Sequence, residues 1–541
     1  MSTIKSKLLL LSILFSVVTL TLNAQLSQKH YIPPLTYADQ GNANPEEQYI
    51  YISTPSSSNV SFTIQEVGSN TTPAVRTVTK NNPQEISIGS GDSQLFVAPS
   101  LTSKVHKNKG YIIEANGGQI YVSIRVRAGG SAQAGALVSK GAAALGKTFR
   151  AGMFTNQSPQ SNYLNFISVM ATEDNTVVSF KDLPTGIVVE NSSNGAKVPN
   201  ISLNEGESYI LATNALDAEE NKDGLIGTLI ESDKDIVVNT GSANGSFGNG
   251  RGRDYGIDQI VDVAKVGTEY IFVRGSGSDA WENVLIVAHE DDTTVSIGEN
   301  AVAVINAGEF YVIEGNNYSL AENMYVETSK PAFAYQGVGG LSDTGEPSEA
   351  NQGMFFVPPL SCESRGNVDN IAQIDRIGGT TFSGGVTIVT NKDATILVNE
   401  QAISNFKPIG PNAVTGNENY ITYKLTGLSG NISVESNEEL YCAYFNQNGA
   451  ATSGSFYSGF LTAPEVNLDT KISTLGSCIP NVTLESANTD LFDSLQWQIL
   501  NEFTNIWNTV NTNNSFKPST PGRYRLVGKI NCNPNEKFIS S

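Results

Sequence analysis

Internal repetition constrains this chain more than any other feature. A short motif recurs four times: Ile113-Glu114-Ala115-Asn116, Ile230-Glu231-Ser232-Asp233, Val326-Glu327-Thr328-Ser329 and Val434-Glu435-Ser436-Asn437. The glutamates are spaced by 117, 96 and 108 residues. An apolar run follows each copy: Ile120 to Ile124, Ile236 to Val238, Ala332 to Tyr335 and Leu440 to Tyr444. A second motif precedes three of the copies, reading ATEDNTVVSF at 171–180, AHEDDTTVSI at 288–297 and TNKDATILV at 390–398. Between the two lie Gly206-Glu207-Ser208-Tyr209, Gly308-Glu309-Phe310-Tyr311 and the stretch Gly416 to Tyr420. Motifs in fixed order at a steady period mark one structural unit repeated four times.

Composition tells what the unit is made of. Of 541 residues only 16% are charged and 50 are glycine, whereas soluble domains usually carry roughly 25% charge. Short period-two runs such as Tyr121-Val122-Ser123-Ile124-Arg125-Val126 predict strands with one buried face. About eight strands fit each repeat, so the fold class is all-β. Each repeat is expected to end in a Gly-rich loop and a return strand. These are Asp258-Gln259-Ile260-Val261 after the loop Gly241 to Gly256, then Gly353 to Leu360, then Gly459 to Pro464. Tyr31-Ile32-Pro33-Pro34-Leu35 reads as one more return strand, which implies that the array closes on itself. Two architectures meet this count. Two four-stranded blades per repeat would give a β-propeller of about eight blades without long free edges. One β-sandwich per repeat would give tandem sandwiches. The strand near residue 31 and the lack of Pro/Ser-rich spacers favour the propeller.

The first residues bear on compartment. Lys5 and Lys7 precede an apolar run from Leu8 to Leu20, and Leu22-Asn23-Ala24 offers a cleavage site, so residues 1–24 read as a secretory signal peptide. No later stretch approaches the roughly 20 apolar residues that span a bilayer. The expected product is secreted or held at the outer cell surface after cleavage near Ala24. There, Cys362, Cys442, Cys478 and Cys532 can form disulfides in any of three connectivities. The pairs 362–442 and 478–532 are the most economical, and buried free thiols are the alternative. Residues 25–466 form the repeat domain. Residues 467–541 carry Trp497, Trp507 and Pro521-Gly522-Arg523-Tyr524, features of an Ig-like β-sandwich. Its abrupt stop at Ser541 reads as truncation, which leaves room for cell-surface partners of a missing C-terminal region.

Chemistry-bearing motifs are few. A net charge of −20 excludes nucleic acid as the main partner. Gly141 to Thr148 matches the phosphate-loop pattern, but the strand-like Phe149 to Phe154 follows where that loop needs a helix. Val266-Gly267-Thr268-Glu269-Tyr270 occupies the equivalent place without the lysine, so the stretch reads as a repeat junction and no nucleotide is expected. His30, His106 and His289 lie apart. Glu290-Asp291-Asp292 and Asp254/Asp258/Asp262 are the carboxylate clusters that could act on a glycosidic bond, although Asp or Asn before Thr most simply makes a turn. Asp217 to Gly224 offers oxygen ligands for calcium without the spacing of a defined calcium loop. Otherwise no cofactor or metal is expected. Binding groups gather in two loops: Arg251, Arg253, Asp254 and Tyr255 in the first, Asp279 and Trp281 in the second.

FISVMATEDNTVVSF at 166–180, SDKDIVV at 232–238 and DYGIDQIVDVAKVGTEYIF at 254–272 resemble the N-terminal domain family named after the IgG-Fc-binding protein of mucus. The resemblance spans residues 25–466. Its motifs are structural, so it brings no catalytic residues, and the family name alone does not carry antibody binding to this chain. Bacterial members are similar to large surface proteins of Bacteroidetes with Ig-like modules. The expected function is therefore non-enzymatic adhesion or binding, through loops, to an extracellular glycan or glycoprotein. A carboxylate-dependent glycan-degrading enzyme using Asp254 and Asp258, or a structural surface stalk, are the alternatives.

Overall fold

A computed structural model describes residues 25–40, 43–159, 161, 163–247, 253–339, 351–361, 368–458, 460, 465–470, 482–487, 492–531 and 533–540. The predicted signal peptide lies outside them, as do Arg251, Cys362, Cys478 and Cys532. The described chain is built of β-strands and short 3-10 turns. Among the described residues no helix is long and apolar enough to cross a membrane.

Eight principal strands make the first repeat: Lys29–Ile32, Pro45–Ser53, Val60–Glu66, Arg76–Val78, Gln84–Gly89, Tyr111–Asn116, Tyr121–Ala128 and Gln133–Val138. Counted within the repeat, the first, sixth, third and fourth form one antiparallel layer, and the eighth, seventh, second and fifth form the other. Both orders recur in the remaining three repeats. In the second and third, strands six and seven are one continuous strand, Leu229–Gly245 and Asn323–Gly339, so both layers join in one sheet of eight or seven strands. The recurring Glu114, Glu231, Glu327 and Glu435 all lie on strand six, opposite Thr63, Ser179, Ser296 and Leu397 of strand three.

The acidic second motif is a turn. Thr176 and Thr293 donate their hydroxyls to the carbonyls of Glu173 and Glu290, both at 2.7 Å. Asn175 and Asp292 take φ of 57° and 54° there, a region that Asn and Asp tolerate well. Asp174 and Asp291 accept the amides of Glu205 and Ala307, both at 3.1 Å.

Within the first repeat the two layers pack face to face, Ile32, Phe62 and Ile113 against Ile50, Val122 and Ile124. Each repeat is thus one two-layer β unit, and the expectation of a propeller of about eight blades is corrected. The reason is plainest where strand six runs straight into strand seven, since a chain that crosses between layers cannot start a separate blade.

Closure is nonetheless achieved, with the second and third return strands where expected and the first and fourth elsewhere. The four return strands are Gln133–Val138, Asp254–Ile260, Gln352–Val357 and Ala451–Phe456. Each forms the edge of its inner layer, and they touch one another in cyclic order, the fourth against the first. Tyr31 and Ile32 belong instead to a strand-one element paired with Tyr111–Asn116. The fourth return strand precedes Gly459, which with residues 461–464 lies outside the described residues. The first and fourth return strands are rich in small residues, and all four carry a glycine where they crowd the axis. A Cβ on Gly135 would stand 2.4 Å from that of Tyr255, and one on Gly256 would stand 2.4 Å from the Phe154 ring.

Buried polar contacts reinforce two of the seams between repeats. Between the first and fourth repeats, the fully buried Arg125 donates to the carbonyls of Ala372 (2.7 Å), Gln373 (2.7 Å) and Arg376 (3.1 Å), and its guanidinium lies 4.2 Å from the Tyr51 ring centre. Near the first return strand, buried His30 turns Nε2 toward the carbonyls of Ile120 (2.9 Å) and Ser27 (3.2 Å), so that nitrogen carries the proton, and Nδ1 lies 3.0 Å from the Ser139 hydroxyl, which donates across to Gln259 of the second repeat at 2.9 Å. Burial pushes its pKa down from 6.5 to about 4. The folded protein therefore binds this proton less tightly than the unfolded chain. The stability it contributes is present above pH 6.5 and lost as pH falls toward 4. His30→Gln is expected to flatten the pH dependence of unfolding in that window by about 3 kcal/mol, read from denaturation curves at stepped pH. An unchanged slope would contradict the neutral buried ring.

Cys442 is a free thiol buried in the core of the fourth repeat, so the expected 362–442 disulfide is corrected. After the ring, Glu465–Thr470, Val482–Ala487 and Ser515–Phe516 form one sheet, and Ser494–Asn501, Ile506–Asn511, Tyr524–Ile530 and Asn533–Ile539 form another. Trp497 is buried among Leu484, Leu526 and Ile530, and its indole N–H reaches the Asn513 carbonyl at 2.9 Å. The Tyr524 hydroxyl donates to the Thr520 carbonyl at 2.7 Å, the local contact of a tyrosine corner.

Candidate binding face

Each return strand is reached by a hairpin from strand seven, so four hairpins meet at one end of the ring axis. Asn351, just before the third return strand, ties them. Its side chain donates to the Ala132 carbonyl of the first hairpin at 2.6 Å and accepts the Arg253 amide of the second at 2.7 Å. Its own amide donates to Ala450 of the fourth at 3.3 Å. Around this node Gln133 donates to Asn244 at 3.0 Å, while Asn244 and the Arg253 guanidinium both reach the Ser161 hydroxyl at 3.1 Å.

The second predicted loop docks at the same end. Gln352 donates to the Trp281 carbonyl at 2.7 Å and to Asn283 at 2.9 Å, and accepts the Phe247 amide at 3.0 Å. Glu282 is fully buried and accepts the amides of Gly275, Gly277 and Gly339 at 2.8, 2.6 and 2.9 Å. Burial nevertheless pushes its pKa up to about 7, against the pull of those donors.

Of the predicted site residues, Arg253 is half-buried on this face. Asp279 is exposed and pairs with Arg274 at 2.8 Å. The other three side chains are interior, which corrects their reading as binding groups of the two loops. Trp281 is 1% exposed beneath Gly277 and Gly339. Tyr255 is 1% exposed, donates to the Ala43 carbonyl, and meets Phe96 edge-on at 6.2 Å. Asp254 accepts amides from three return strands: Ala134, its neighbour Tyr255 (3.0 Å) and Thr452 (2.8 Å). Asp258 is equally buried, accepting Phe356 N–H at 3.0 Å and Gln259 N–H at 2.8 Å. These two carboxylates are structural centres of the ring, remote from solvent. Asp262 accepts the amides of Lys147 (2.7 Å) and Thr148 (2.9 Å), so the stretch resembling a phosphate loop is a junction that continues as a strand, Gly146–Arg150.

The acidic loop at 217–224 forms a short 3-10 turn with Lys222 bonded to Glu219 at 2.6 Å. Among the described residues no group of three or more His, Cys, Asp or Glu is placed to hold a metal ion. Sequence reasoning missed Asn351, Gln133, Asn244 and Gln352. Alignment of the return strands on Gly135, Gly256, Gly353 and Gly454 could have exposed three of them, because Gln133, Asn351 and Gln352 lie within two residues upstream of that glycine.

Fold and face together define a class: a closed four-repeat β scaffold that gathers one hairpin per repeat at an axial face. The model of the family described as IgGFc binding protein matches residues 134–445, more than half of the chain, and the chain belongs to that family. Membership makes this a binding domain. No curated protein matches the chain. Among solved structures, an anti-sigma factor domain-containing protein from Clostridium clariflavum is 8% identical over 74% of this chain and 99% of its own, with a TM-score of 0.11. A Streptomyces avermitilis alpha-L-rhamnosidase complexed with L-rhamnose is 10% identical over 83% and 59%, also at 0.11. Scores that low carry no argument.

Proposed function

We propose that this is an exported, non-enzymatic adhesion or binding protein that engages an extracellular glycan or glycoprotein with the axial face. The observation that carries the reading is the Asn351 node, which draws hairpins from all four repeats into one composite surface. Rigid β scaffolds commonly place function on such loops. The groups gathered there, including Arg253, Ser161 and Asp279, suit hydroxyl-rich ligands through directional hydrogen bonds. The chain's net charge of −20 disfavours polyanions. The burial of Asp254 and Asp258 weakens the glycosidase alternative, which needs both carboxylates in a cleft open to substrate.

The test is a glycan and mucin array probed with the mature chain. Saturable binding to a defined class is expected, weakened at least about tenfold by Arg253→Ala combined with Asp279→Ala. Val304→Ala, at an exposed site in strand four of the third repeat, should leave it unchanged. Trp281→Ala and Tyr255→Ala are unsuitable, because both rings are core. A silent array with folded protein would sink the glycan reading.

A further inference from the structure

Lys140 and Asp258 meet at the centre of the ring, and the proposed function uses neither. The Lys140 Nζ lies 3.3 Å from Asp258 Oδ2, with the two side chains 0% and 1% exposed. The same nitrogen donates to the Phe456 carbonyl at 3.3 Å. Asp258 Oδ1 accepts the Gln259 amide at 2.8 Å and the Ser455 hydroxyl at 3.2 Å, and Oδ2 accepts the Phe356 amide at 3.0 Å. All four repeats therefore converge on this one pair. Lys140 follows the first return strand, Asp258 is on the second, Phe356 on the third, and Ser455 and Phe456 on the fourth.

From this geometry we infer that Lys140 and Asp258 become joined by an intramolecular amide bond that locks the first repeat to the second. The arrangement supplies what the condensation needs. Burial pushes the lysine down and the aspartate up, toward the neutral amine and carboxylic acid that react. The Phe456 carbonyl holds one amine hydrogen, which leaves the nitrogen lone pair free to attack Cγ. Negative charge then develops on Oδ1, where the Gln259 amide and Ser455 hydroxyl already donate. As the carbonyl re-forms on Oδ1, the bond from Cγ to Oδ2 breaks. Oδ2 departs as water, carrying the acid proton and one proton from the amine. One C–N bond forms, one C–O bond breaks, and no oxidant, reductant or co-reactant takes part.

The test is mass spectrometry of the mature, denatured and reduced full chain, followed by peptide mapping. The expected chain is lighter than its sequence by one water, and digestion yields a branched peptide joining the segments around Lys140 and Asp258. Lys140→Arg should restore the missing water and abolish the branched peptide. The wild-type map decides the question even if that variant does not fold. A wild-type chain with its full sequence mass, and separate peptides containing Lys140 and Asp258, would overturn the inference and leave a buried ion pair.

Discussion

Arg125→Met is expected to lower the free energy of unfolding by about 3–5 kcal/mol, one of the two largest single-residue losses in the ring. The guanidinium is fully buried and spans the carbonyls of Ala372, Gln373 and Arg376, joining the first repeat to the fourth. Methionine fills much of the volume but leaves the Ala372 carbonyl in a dry seam without a donor, its desolvation cost unopposed, while the Gln373 carbonyl keeps only the Arg376 amide at 3.0 Å and the Arg376 carbonyl only the Tyr51 hydroxyl at 3.4 Å. It also forfeits the stacking on Tyr51 at 4.2 Å and Tyr444 at 5.0 Å. Lysine should rescue little, since one ammonium cannot reproduce the planar fork. Denaturant unfolding followed by tryptophan fluorescence measures the loss. A change below about 1 kcal/mol would show that the seam is not held by this residue.

Asp254→Ala is expected to cost about 3 kcal/mol, and Asp254→Asn about 1–2 kcal/mol. Alanine strands the amides of Ala134, Tyr255 and Thr452, which belong to three different repeats. Asparagine keeps one acceptor oxygen but turns an amide donor toward one of those N–H groups. The order of the two variants is the check. Partial rescue by asparagine identifies lost acceptors as the cause, whereas equal losses would point to negative charge as the essential property.

How much of this was legible in the sequence can be judged residue by residue. The four glutamates at 114, 231, 327 and 435 were found by repetition, and all occupy the same register in strand six. Period-two alternation recovered strands that bury one face, such as Gln84–Gly89 and Thr176–Lys181, whereas Tyr121–Ala128, expected to bury one face, is buried on both. It failed at the first and fourth return strands, Gln133–Val138 and Ala451–Phe456, which are buried throughout and built largely of Ala, Gly and Ser. Close approach at the axis selects small residues there, and small residues carry no hydrophobic signature. The same crowding explains Asp254 and Asp258. Their i, i+4 spacing along a strand reads as paired acids for catalysis, while the fold uses them as acceptors for neighbouring edge amides. Trp281 misled for a related reason, since a tryptophan in a glycine-rich loop reads as exposed until Gly277 and Gly339 are seen to cover it. The binding face was legible only in Arg253 and Asp279. Its organiser, Asn351, was missed because the residue two before the return-strand glycine differs in every repeat: Gln133, Asp254, Asn351 and Thr452.

Closure of the four repeats into one ring is the central claim, and native-state amide hydrogen exchange tests it most directly. In separate sandwiches the return strands would be free edges, with one row of amides open to solvent. In the closed ring the outward amides of Ala134, Phe356 and Thr452 donate to Asp254 or Asp258, and that of Val138 donates to Ser455. Peptides covering the four return strands are expected to exchange as slowly as the inner strands beside them and to open only with global unfolding. Fast exchange of the return strands, beside inner strands that remain protected, would contradict the ring and leave four independent sandwiches.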